Sequence, residues 1–164
     1  MKSKGNMPLY IGGMEWERLF FGHASIDFSK PAFQRWEDAI EEAAAIQSIF
    51  SWDPKNPRTE MSRKLYDGVR ERLREKYQEN LALYCAIGTA LDWHHGIDGF
   101  FRVGRYVVAI DLTTNKGKKT KGPDIVMVLA QDVMGAGFDR LCQKIANQFN
   151  IWVTWEEDTY RPKR

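Results

Sequence analysis

Two aspartates carry the first chemical signal in this sequence. Asp98 follows Gly96-Ile97, and Asp111 closes the apolar run Val107-Val108-Ala109-Ile110. An acid as the penultimate residue of an apolar strand is costly unless it is exposed, paired or bound to a metal. Between the two, Val103-Gly104 reads as the two-residue loop of a β-hairpin, so Arg102 faces Arg105, Phe101 faces Tyr106 and Asp98 faces Ala109. Asp111 is then the diagonal, same-face neighbour of Asp98, with Cβ atoms roughly 7 Å apart, close enough to share one divalent cation. Thr113 points to that same face, while Ile110 and Leu112 point to the other. A slip of one residue would put the aspartates on opposite faces. The competing reading is a pair of strand-end carboxylates neutralised by Arg102, Arg105 or the lysines that follow.

Those lysines form the second signal. Residues 115–122 contain Lys116, Lys118, Lys119 and Lys121 between glycines, an exposed loop starting two residues beyond Thr113. Beside a carboxylate pair such lysines would suit phosphates, which fixes position without reading sequence. His94 and His95 directly precede the Gly-Ile-Asp segment. On a strand they would point to opposite faces, and no cysteine lies near enough to complete a tetrahedral zinc site, so zinc chemistry is not expected. One of them could touch phosphate or orient water near a metal, and the competing reading is a partly buried, hydrogen-bonded histidine; His95 is carried as the phosphate contact. The acidic run Glu37, Asp38, Glu41 and Glu42 reads as a solvated helix face.

The elements that must position these residues follow from periodicity. A first helix runs from Ser29-Pro31 with Phe33, Trp36, Ala39, Ile40 and Ala43 on one side, and ends before the prolines of 51–57. A second begins at Thr59, with Met61, Leu65, Val69, Leu73 and Tyr77 in a stripe. Strands are expected over 81–87, 96–103, 105–114 and 124–130, then a helix carrying Phe138, Leu141, Cys142, Ile145 and Phe149, and a last strand over 151–155. The predicted fold class is α/β (α+β), a central mixed sheet flanked by helices in the order α-α-β-β-β-β-α-β. Residues 1–58 are expected to form a helical or irregular extension packed on a core of 59–156, with 157–164 a basic, disordered tail.

Composition excludes several classes. With 164 residues, 43% hydrophobic and 13% aromatic, the chain is a single globular unit with a real core. Its net charge of +2 means that any attraction to nucleic acid comes from local clustering. The 2 cysteines, Cys85 and Cys142, are read as reduced core residues. No apolar stretch approaches the roughly 20 residues that span a bilayer, and residues 1–10 show no apolar run, so the expectation is a cytoplasmic protein without a membrane partner.

The segments Gly96-Ile97-Asp98-Gly99-Phe100-Phe101 and Val107-Val108-Ala109-Ile110-Asp111-Leu112-Thr113 together resemble the paired motif of the PD-(D/E)XK nuclease superfamily. The order of elements over 59–156 is similar to that of its junction resolvases. The resemblance implies a restriction-endonuclease-like fold and a DNA endonuclease, with Asp98 and Asp111 binding Mg²⁺ or Mn²⁺ to activate water on a phosphodiester. It also implies an acid from the preceding helix, for which Glu75 and Glu79 are the candidates, a polar residue at Gln131, and a homodimer. Thr113 stands where the motif has its lysine. Lys116, Lys118 or Lys119 substitutes from the loop, Thr113 and a water suffice, or the fold is a catalytically inactive module that binds nucleic acid or a protein. Lys118 is carried as the catalytic candidate, and Lys116, Lys118, Lys119, Lys121, Arg102, Arg105 and His95 as DNA contacts.

Overall fold

The computed structural model describes residues 12–23, 30–118 and 124–159. The elements are α1 (Gly13–Phe21), α2 (Trp36–Ala45), a 3₁₀ turn (Gln47–Phe50), α3 (Glu60–Arg72), α4 (Glu75–Gln78), β1 (Ala82–Cys85), α5 (Ala90–His95), β2 (Gly99–Val103), β3 (Tyr106–Thr113), β4 (Ile125–Leu129), α6 (Ala130–Val133) and α7 (Phe138–Thr159). The four strands form one mixed sheet in the order β1-β2-β3-β4, antiparallel except for the parallel pair β3 and β4.

Alternation along the strands divides the core. Leu83, Phe101, Val108, Ile110, Leu112, Val126 and Val128 turn to one face, against α1, α3 and α7. Phe100 and Ala109 turn to the other, against Ala39, Ile40 and Ala43 of α2 and Leu91 of α5. Thr59 caps α3 as its sequence demands, accepting a hydrogen bond from the Ser62 N–H.

The free edge of β1 is sealed by residues that precede α3. Leu83 N–H donates to Pro54 O at 2.8 Å and Trp52 Nε1 donates to Leu83 O at 2.7 Å. The Gln47 amide completes the edge, accepting from Cys85 N–H and donating to Cys85 O. A buried amide thus does the work of a fifth strand and leaves no template for edge pairing there.

Several sequence expectations are corrected. The strand over 151–155 does not exist: α7 runs unbroken to Thr159. No Gly or Pro interrupts it after Asn150, and Trp152 extends the stripe of Leu141, Ile145 and Phe149 until its ring stacks on Tyr106. His94 and His95 lie on the short helix α5 and not on a strand. The hairpin turns at Gly104-Arg105, with Val103 paired to Tyr106, because Gly104 adopts a φ of 58° at the first turn position. That moves the register by two residues, an even shift that preserves which side chains share a face. The expected second helix is also divided, into α3 and α4, and α1 joins the element order.

Candidate active site

The regular β2–β3 ladder ends where Gly99 pairs with Ile110. Asp98 and Asp111 stand one residue beyond that pair, at the same end of adjacent strands, both buried. The positions are tightly built, since a Cβ on Gly99 would lie 2.5 Å from Phe21 Cζ and 2.7 Å from Tyr84 O. Asp98 N–H donates to Ile110 O, and its own carbonyl accepts from Ala86 N–H. Leu112 N–H, the next group on β3 directed at β2, has no strand residue opposite it and donates instead to Asp98 Oδ2 at 2.8 Å. Asp98 therefore caps the end of the ladder, a structural duty beyond any chemical one.

Asp98 is buried among other acids. Burial above all, then the charges of Asp92, Glu17 and Asp111, push its carboxyl up to about 9, against the lowering effect of the Leu112 hydrogen bond. Glu17 comes from α1 and Asp92 from α5, where the Asp92 carboxylate also accepts from Gly88 N–H. Sequence reasoning missed both. The available signals were Glu17 beside the core residue Trp16, and the Thr89-x-x-Asp92 spacing of a helix start.

Asp111 is covered by Lys118, whose Nζ lies 2.8 Å from Asp111 Oδ2. Burial lowers the Lys118 amine and its contacts with Asp111, Asp98 and Asp92 raise it, with a net rise. The topology explains the contact. Because β4 runs parallel to β3 and Ile125 pairs with Ala109, the chain leaving Thr113 must return about 13 Å along the sheet. The lysine loop is that return. Thr113 starts it, its Oγ1 accepting from Asn115 N–H; Asn115 then accepts from Gly117 N–H through its side chain and from Lys118 N–H through its carbonyl. Thr113 thus starts the turn that brings Lys118 back over Asp111.

The other candidates are dispersed. Gln131 stands on α6, exposed, at the same end of the sheet, just past the Thr113–Leu129 pair. Lys116 is exposed in the same loop; Lys119 and Lys121 lie outside the described residues. Glu75 and Glu79 are not brought to Asp98. They are exposed and precede β1, whose first residue pairs with Arg102 at the far end of β2, and Glu79 faces Arg70 at 3.9 Å. Arg102 is held by Glu41 at 2.7 Å and Arg105 lies over the Tyr106 ring. The His95 Nε2 bonds Gln34 O and the His94 Nε2 bonds Pro31 O, so both imidazoles tie α5 to the segment before α2.

Among the described residues no group of three or more His, Cys, Asp or Glu side chains is arranged to hold a metal ion. Two buried carboxylates on adjacent strands still fit a Mg²⁺ site of the kind completed by substrate phosphate and water, and the acidic surroundings of Asp98 are a field that a cation would relieve. No helix among the described residues is long and apolar enough to cross a membrane. Comparison with family models, curated proteins and solved structures gives no match.

Proposed function

We propose that the chain is a metal-dependent DNA endonuclease of the restriction-endonuclease-like, PD-(D/E)XK kind. The observation that carries the reading is Lys118 Nζ on the buried Asp111 carboxylate, one strand from Asp98, which supports this lysine as the cation that Thr113 does not supply. Asp98 and Asp111 would hold Mg²⁺ or Mn²⁺, and such an ion supplies a polarised phosphoryl oxygen and a more acidic water. Lys118, half-exposed, turns a donor from Asp111 to the phosphate oxygen on which charge develops. Thr113 and Asn115 hold its loop, and Lys116, Lys119 and Lys121 bind flanking phosphates. A homodimer in the cytoplasm belongs to this reading by analogy with junction resolvases.

The second reading, a nuclease-like module that binds DNA or a protein without cutting, is favoured by a different observation: both carboxylates already have partners, Asp98 in Leu112 N–H and Asp111 in Lys118. One experiment separates the two. Purified protein is incubated with supercoiled, linear, single-stranded and branched DNA in Mg²⁺ and in Mn²⁺, beside Asp111→Asn and Lys118→Ala. The endonuclease reading expects cleavage by the wild type, none by Asp111→Asn, and a rate about 100-fold lower for Lys118→Ala at retained DNA binding. Uncut DNA in every case, with no Mn²⁺ heat in calorimetry, overturns it in favour of the module.

A further inference from the structure

At the hairpin end of the sheet, about 13 Å along β2 from Asp98, lies a cleft of about 400 Å³ unrelated to the acid pair. It opens between α2, the β2–β3 turn and α7. Its size is within the roughly 300–1,000 Å³ of small-molecule sites. Three aromatic rings line it: Trp36, Tyr106 and Trp152. Trp152 and Tyr106 stack with centroids 5.7 Å apart, whereas Trp36 meets His95 edge-on and has no stacked ring among the described residues.

The polar groups of the cleft carry both signs. Arg102 pairs with Glu41, and the Arg105 guanidinium lies 5.4 Å from the Tyr106 centroid. Glu37, one helical turn before Glu41, has no ion-pair or hydrogen-bond partner among the described residues. A simple cation, the usual guest of aromatic cages, would meet two guanidiniums, and a simple anion would meet Glu37. A ligand with a flat face, a hydrogen-bond donor edge and a separate negative group suits all three features. A nucleotide has that constitution.

We infer that this cleft is a nucleotide site, in which a base stacks on Trp36 with its donor edge toward Glu37 and its phosphate toward Arg102 and Arg105. Guanine is the base of choice, because N1–H and N2–H present two adjacent donors to one carboxylate, and the other bases present no such pair. The base comes either from a free mononucleotide or from an unpaired nucleotide in a strand, since stacking is indifferent to what lies beyond the sugar. This assignment does not depend on the endonuclease reading.

The test is quenching of tryptophan fluorescence in the full chain by GMP, AMP and CMP, and by short single strands with and without one guanosine. Saturable binding with GMP, or the guanosine strand, preferred about tenfold over its counterparts is the expected result. Trp36→Ala should abolish the quenching. Glu37→Gln should lower GMP affinity to the AMP level while leaving the melting temperature of the protein unchanged. No saturable binding by any of these ligands, or equal GMP binding by the wild type and Glu37→Gln, overturns the proposal.

Discussion

Asp98 sets a testable pH dependence of stability. Its carboxyl titrates near 9 in the folded chain and near 3.8 when exposed, so folding takes up a proton throughout the interval between. Stability from this group is therefore fully present below about pH 4 and declines by about 1.4 kcal/mol per pH unit until the folded value is passed. Asp98→Asn keeps an oxygen for Leu112 N–H and removes the proton. Its melting temperature, scanned against pH in a chelator, should match wild type near pH 4 and exceed it by several degrees at pH 8. A constant offset across the range would place the acidic burden elsewhere. Thr113 gives the complementary case. Replacing it with the motif lysine puts a second cation under Lys118 and removes the oxygen that starts the return loop. Under the endonuclease reading, Thr113→Lys should therefore lower DNA cleavage relative to wild type instead of restoring a missing group.

At the scale of elements, the sequence was most legible where one period ruled a segment. The α3 stripe, its Thr59 cap and the apolar β3 that carries Asp111 all appear where alternation and capping require them. The hairpin was legible in its faces but not its turn, because Val103-Gly104 and Gly104-Arg105 differ only in which position the glycine takes. The helix over 151–155 was hidden because Ile151 and Val153 favour strands locally, whereas the stacking of Trp152 on the Tyr106 ring, distant in sequence, rewards the helical course. Glu17 and Asp92 reach the site by tertiary packing alone. The α3–α7 interface offers a direct check on this packing. A Cβ at Gly68 would stand 2.5 Å from Cys142 Sγ and 2.8 Å from Phe138 Cζ, so these helices meet only because Gly68 has no side chain. Gly68→Ala gains helix propensity of about 1 kcal/mol yet should destabilise the chain by about 1–3 kcal/mol in urea unfolding, since overpacking outweighs propensity. A stabilised variant would show that α7 can shift outward freely.

For the molecule as a whole, a net charge of +2 leaves little general attraction for DNA, so the proposed affinity would have to come from where the charges sit. The return of the chain from β3 to the parallel β4 starts with Lys118 set over Asp111, so one lysine of the loop serves the acid pair and the endonuclease reading leaves the others for phosphate. Arg102, by contrast, is already held by Glu41 at the opposite end of β2. Changing Lys116, Lys119 and Lys121 to Gln, while keeping Lys118, separates phosphate binding from site chemistry. The slope of log K against log salt on duplex DNA should become shallower by about 0.9 for each phosphate no longer neutralised, up to about 2.7 for the three. Under the endonuclease reading, cleavage at saturating DNA and low salt should persist, because Asp98, Asp111 and Lys118 are untouched. If the slope is unchanged, duplex DNA does not lie along this loop, and a protein partner becomes the better reading of its charge.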